Sequence, residues 1–263
     1  CSNLKNVNMS GIDLGSASSA NELFARCSNL EDIDMSGADF GSLTYGLWFT
    51  DCCNLINVNM NGVNLKSLTS AWAMFENCKN LVCVDMGDVN LESATSIDDM
   101  FNGCSNLTSV DMGGCNMSCV SIASAVFRDC LQLDHIVSPK GIGTFISLPY
   151  SFCDETGNDF DKIDNTVQNA TLLRRKYLIS YELNHGLIVD NPNSYTSVME
   201  TFDLKNPTRD GYTFLGWTGS NGDEPQTVVT IEKGTTGDLT YTANWKNDYS
   251  EEGGNTEDHT HTY

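Results

Sequence analysis

A four-residue segment, Cys-x-Asn-Leu, recurs at residues 1–4, 27–30, 52–55, 78–81 and 104–107, and a degenerate Cys-Leu-Gln-Leu follows at 130–133. The steps from cysteine to cysteine are 26, 25, 26, 26 and 26 residues. A period of this length constrains the fold more than any other feature of the chain. One unit of about 26 residues cannot bury its own apolar face, so copies must stack and share a core.

The pattern inside the period predicts the unit. After each segment the same apolar rhythm returns, as Leu4, Val7, Met9, Ile12, Leu14 and then Leu30, Ile33, Met35, Ala38, Phe40. The spacing of Val7 and Met9 is that of a short strand with both side chains on one face. Before each cysteine the period turns helical. Ala20, Leu23, Phe24 and Cys27 stand at i, i+3, i+4 and i+7, as do Tyr45, Trp48, Phe49 and Cys52. Ser19 with Glu22 matches a capping box. The predicted fold class is therefore an α/β solenoid, with parallel strands on one face and short helices on the other.

The run Leu-x-x-Leu-x-Leu followed by Phe-x-x-Cys-x-x-Leu resembles the leucine-rich repeats of the BspA-type bacterial surface protein family, over residues 1–137. Two departures stand out. Met replaces Leu in the strand, and Ile12, Ala38, Val63, Val89 and Cys115 occupy the usual Asn site. Asp13, Asp39, Asn64, Asn90 and Asn116 follow directly.

Residues 138–176 are expected to cap the solenoid, since the rhythm fails after Cys130 and a terminal repeat must close the open core. A hairpin is predicted between Phe152 and Phe160 around Thr156, Gly157 and Asn158, with Leu172 to Lys176 leading out. From Tyr177 the alphabet becomes aromatic and β-branched. Tyr177, Ile179, Tyr181 and Leu183 alternate before a turn at Asn184, His185 and Gly186. The motifs at residues 181–186, 206–217 and 241–245 closely resemble the Listeria–Bacteroides, or internalin B-type, repeat. That resemblance implies a small β-grasp-like domain over 177–246, and His185 stands where the family usually has Gly. Trp217, Trp245, Tyr212 and Tyr241 read as its core. Residues 247–263, acidic and rich in Gly and Thr, read as a disordered tail.

The formal net charge of −21 is spread along the chain. Such a field repels phosphate backbones and anionic lipid, which argues against nucleic acid and membrane surfaces as partners. No apolar run reaches the roughly 18 residues a membrane span needs. The chain starts inside a repeat, without Met or signal peptide, and so reads as part of a larger protein whose signal and anchor lie elsewhere. The odd count of 11 cysteines, with one per repeat, argues for buried free thiols rather than a disulfide framework.

A search for chemistry finds no catalytic set and no cofactor motif. Of the four histidines, His259 and His261 lie in the tail, His185 in a turn and His135 in the cap. His135 with Cys130 could be drawn as a nucleophile pair, but Cys130 occupies a repeat position. Gly141 and Gly143 lack the third glycine of a phosphate loop. Neither Cys52 and Cys53 nor Cys115 and Cys119 have zinc spacing. The tail histidines beside Glu257 and Asp258 would hold a metal only after ordering the chain.

What stands out instead is a polar column between the strand core residues: Asn8, Asp34, Asn59, Asp85 and Asp111, pointing outward by strand alternation. Asn6, Asp32, Asn57 and Ser109 extend it, with Tyr45 or Trp48 nearby. This concave strip is the candidate binding face for a protein or glycan. Calcium is the one metal its oxygens suit, although no spacing demands it. The resemblance to surface proteins then implies a non-catalytic extracellular adhesin on a bacterial cell surface. A stalk or spacer displaying another domain is the alternative.

Overall fold

The computed structural model describes residues 1–249 except Ser2, Ser18, Ser19, Asn21, Leu47, Asp88, Ile188 and Val189. Ser19 of the expected capping box, His259, His261, Glu257 and Asp258 lie outside the described residues, as does the tail from residue 250. The chain divides into two compact units, Cys1–Arg175 and Lys176–Tyr263.

In the first unit, strands β1 (Asn6–Asn8), β2 (Asp32–Asp34), β3 (Asn57–Asn59), β4 (Cys83–Asp85) and β5 (Ser109–Asp111) stack in parallel. β6 (Asn116–Met117) opens a second, two-stranded ladder, and β7 (His135–Val137) continues the first. β6 is paired by β8 (Gly141–Ile142). The rhythm expected to fail after Cys130 thus persists through Ile142. Ser138 takes the site filled by Met in earlier coils, fully buried, with its hydroxyl accepting the Ala170 N–H at 2.8 Å. Beyond it, β9 (Ile146–Cys153) and β10 (Asp159–Ile163) form a hairpin that pairs Phe152 with Phe160. β11 (Thr171–Arg174) runs antiparallel between β7 and β9, so the sheet ends in a cap of antiparallel strands. The Arg174 guanidinium donates to the carbonyls of Leu131 and Leu133, groups left over at the end of the stack.

The helices expected before each cysteine do not form; no helix occurs among the described residues. An α-helix would send each N–H to the carbonyl four residues back. Here Ala73, Phe75 and Asn77 donate to Asp98, Met100 and Asn102 of the next coil at 2.9, 2.9 and 2.8 Å. The intervening Glu76 and Cys78 close local turns onto Ala73 and Phe75, both at 3.1 Å. Alternate amides can point at the neighbouring coil only because Ala73 and Asn77 are left-handed, at φ 52° and 60°. Asp99 and Gly103 repeat this one coil later, at 54° and 77°. The class is therefore a β-solenoid of stacked coils. The i, i+3, i+4, i+7 pattern marked the buried Phe and Cys positions, left Leu23 and Tyr45 exposed, and misjudged the conformation, because burial says nothing about where an amide finds its acceptor.

Stacking turns each repeat position into a column. Phe24, Phe49, Phe75, Phe101 and Phe127 lie face to face at centroid separations of 5.7, 5.3, 5.3 and 5.6 Å. The thiols of Cys52, Cys78, Cys104 and Cys130 donate to the carbonyls of Phe24, Phe49, Phe75 and Phe101 in the coil before, at 3.0 to 3.1 Å. Every cysteine is free, and the repeat thiols are buried except Cys1.

The second unit is built on a mixed sheet. β12 (Tyr177–Glu182), β13 (Ser194–Tyr195) and β14 (Phe202–Asp203) are followed by β15 (Tyr212–Gly219), β16 (Gly222–Gln226), β17 (Thr230–Ile231) and β18 (Leu239–Asn247). The five-stranded order is β13-β12-β18-β15-β16, with the first and last long strands adjacent and parallel. β14 and β17 form a separate pair. Trp217 is fully buried and Tyr241 nearly so, while Trp245 is half-buried and donates its indole N–H to the Leu183 carbonyl at 3.0 Å. His185 is left-handed at φ 67°, which explains why glycine suits that position. Gly186 has no such freedom of replacement: a Cβ there would stand 2.6 Å from the Trp245 ring.

Candidate functional site

The strands are three residues long, with the middle residue buried in the core, so the two flanking side chains of each face outward. Register then lines up two polar columns. One is Asn6, Asp32, Asn57, Cys83, Ser109 and His135; the other is Asn8, Asp34, Asn59, Asp85, Asp111 and Val137. All nine residues named from the sequence fall in these columns. Cys83 and His135 occupy the same ladder and were missed because neither resembles the Asn, Asp and Ser around it. Exposed Ile56 and Val82 stand directly before Asn57 and Cys83, adding apolar surface beside the first column.

The columns differ in what holds them. In the second, every Asn or Asp folds its side chain onto its own backbone two residues on. Asp34 accepts the Ser36 N–H at 3.0 Å, Asp85 the Gly87 N–H at 2.9 Å and Asp111 the Gly113 N–H at 2.8 Å. Asn8 and Asn59 do the same toward Ser10 and Asn61. These are Asx-turns, which bend the chain out of the strand. The hydrogen bond from the Ser36 amide holds the Asp34 carboxyl below its usual range. A further Asx column runs through Asp13, Asp39, Asn64, Asn90 and Asn116, so the shift from the usual Asn site keeps the turn and moves its cap by one residue.

The first column has no such recurring duty. Asn57 donates to Asp32 at 2.6 Å, and the rest of the column makes no repeated turn contact. Its side chains change from coil to coil while the strand beneath stays the same.

Tyr45 and Trp48 do not belong to this face. Trp48 is fully buried against the Phe40 ring at 4.7 Å, and Tyr45, 59% exposed, bridges Ser70 on the turn segments. The drawn pair of Cys130 and His135 fails as chemistry, since burial pushes the Cys130 thiol up to about 12 and it donates to the Phe101 carbonyl. Gly143 has a packing role: a Cβ there would meet the Ser118 carbonyl oxygen at 2.4 Å. Among the described residues no three His, Cys, Asp or Glu side chains gather to hold a metal, and no helix is long and apolar enough to cross a membrane.

Comparison with known families assigns both units. Residues 1–81 and 20–157 match the BspA type Leucine rich repeat region in six copies, and residues 177–244 match the Listeria-Bacteroides repeat domain. Both families are typical of bacterial surface proteins. No curated protein and no solved structure matches the chain.

Proposed function

Because the chain belongs to the BspA-type leucine-rich-repeat family, we propose that it is a non-catalytic extracellular interaction protein, an adhesin displayed on a bacterial surface. Its ligand is a protein or glycan, taken up on the outward face of the strands. One observation supports this above the others. Asn6, Asp32, Asn57, Cys83 and Ser109 form a register-aligned ladder whose members vary while the fold asks nothing uniform of them. A solenoid offers such a ladder as a broad, rigid surface. The exposed Ile56 and Val82 beside it supply the apolar contact that polar side chains alone lack. The Asx column is the poorer candidate, since one oxygen of each side chain is already committed to its turn.

The test is a binding panel of matrix proteins, mucins and glycans against the full chain, with and without calcium. Two variants divide the columns: Asp32→Arg with Asn57→Arg and Ser109→Arg, and Asp34→Asn with Asp85→Asn and Asp111→Asn. Saturable binding lost in the first variant and kept in the second supports the proposal. Loss only in the second would move the site to the Asx column. Silence across the panel would favour a spacer that displays another domain.

A further inference from the structure

A cleft of ≈ 360 Å³ opens on the turn segments that precede Cys27, Cys52 and Cys78, away from the strand residues just discussed. Its lining combines the Trp72 ring with the carboxylates of Glu22, Asp51 and Glu76 over small side chains at Ala25 and Ala73, with Arg26 and Thr50 completing it. We propose that this cleft binds a primary alkylammonium group, with Trp72 as its wall and these three carboxylates as its rim.

The repeat itself points to the site. Coil by coil, the place of Trp72 is held by Gly46, Asp98 and Ser124, and that of Glu76 by Ala25, Thr50, Asn102 and Arg128. Hydrogen bonds confirm these equivalences: Ala73 donates to the Asp98 carbonyl, Arg26 to that of Thr50, and Asp51 to that of Glu76. The fold therefore requires neither an indole nor a carboxylate there. Trp72 stays 45% exposed, a large aromatic that contributes little to the core.

The cleft sets three carboxylates against a single cation, Arg26. Arg26 reaches Glu22 at 4.0 Å, and among the described residues no cation pairs with Asp51 or Glu76. The Asp51 carboxylate accepts the Asn77 side-chain amide at 3.0 Å. Burial first, and then the nearby Asp99 and Asp51 carboxylates, push the Glu76 carboxyl upward. A cation relieves that repulsion, and the aromatic wall favours an organic one, because an ammonium carried on methylenes meets both the ring face and the carboxylates. A bare metal ion has no use for Trp72, and no three ligating groups converge among the described residues. The same chemistry is offered by a lysine side chain on a partner protein and by a free diamine.

The experiment titrates the full chain with cadaverine and, separately, with acetyl-Gly-Lys-Gly-amide, following backbone amide shifts of residues 72–77 by NMR. The norleucine counterpart of the peptide is the neutral control. Saturable shifts with a cationic probe, silence from norleucine, and roughly tenfold weaker binding in both Trp72→Leu and Glu76→Gln are expected. Binding of both cationic probes assigns the site to protein lysines; binding of cadaverine alone assigns it to free amines. Equal response to norleucine, absence of saturation with either probe, or unchanged affinity in both variants overturns the proposal.

Discussion

The two units of the molecule are held by different logics. In the solenoid each core position is occupied once per coil, so five Phe rings stack in one column and four thiols reach back to carbonyls in another. In the C-terminal module each core position exists once, around Trp217, Tyr241 and a few aliphatic neighbours. The repeat consequently carries its own comparison set. A position that never changes serves the fold, and one that changes coil by coil is free for something else. The module offers no such control, and its residues cannot be sorted in this way. Both functional readings, the strand face and the Trp72 cleft, therefore come from the solenoid.

That contrast can be broken, most severely at the invariant Phe column. Phe75→Ala is expected to cost about 3–5 kcal/mol in denaturant unfolding, because it opens a cavity between the Phe49 and Phe101 rings. A loss below about 1 kcal/mol would mean that invariance in the repeat does not report structural need. Next comes Gly114, where an added Cβ would stand 1.5 Å from the Gly87 carbonyl oxygen. Gly114→Ala should cost at least about 2 kcal/mol, since backbone of one coil must move off the next. At Gly87 the nearest atom to a Cβ is an Asp85 side-chain oxygen 3.3 Å away, so Gly87→Ala should be markedly milder.

The two outward columns give the sharper test. Asp85→Ala removes the acceptor for the Gly87 amide and should lower stability by about 1 kcal/mol. Asn57→Ala, in the column without Asx-turns, should stay within about 0.5 kcal/mol. Equal losses would erase the distinction on which the assignment of the binding face depends. In the module, His185→Gly should raise stability by up to about 1 kcal/mol, because it removes the side-chain strain of a left-handed φ of 67°.

The smallest effect is one of pH. In the cap, hydrogen bonds from Thr156 and Asn158 hold the Asp154 carboxyl at about 2, against an ordinary 3.8. A depressed carboxyl stabilises the fold above its unfolded value, and that contribution is lost as pH falls from about 4 toward 2. Asp154→Asn should flatten stability across that interval, and a carboxyl titration near 3.8 in NMR would contradict the hydrogen-bond geometry.

Much of the fold was legible before any coordinates. Val7, Ile33, Val58, Val84 and Val110 read as the inward residues of short strands, and they stand side by side in register. Outward placement of Asn8, Asp34 and their companions was legible for the same reason, since alternation along a strand is a local rule. Their work as Asx caps was not read from the sequence, because the same spacing suits a ladder of ligands. Trp48 misled in another way: it was also placed beside the strand face, but it is fully buried and packs inward against Phe40. The cleft at Trp72 was not legible at all. It is assembled from Glu22, Asp51 and Glu76, which stand 29 and 25 residues apart in the chain and meet only when coils stack.

The sequence alone determined the period and most of the division of surface from core, because apolar spacing is set by how often a side chain must return to the interior. It did not determine whether the segment before each cysteine is a helix. That was decided by tertiary structure: the carbonyls of Asp98, Met100 and Asn102 lie within reach of Ala73, Phe75 and Asn77. An amide takes whichever acceptor the folded chain presents, and here the neighbouring coil presents one where an isolated segment would have only its own backbone.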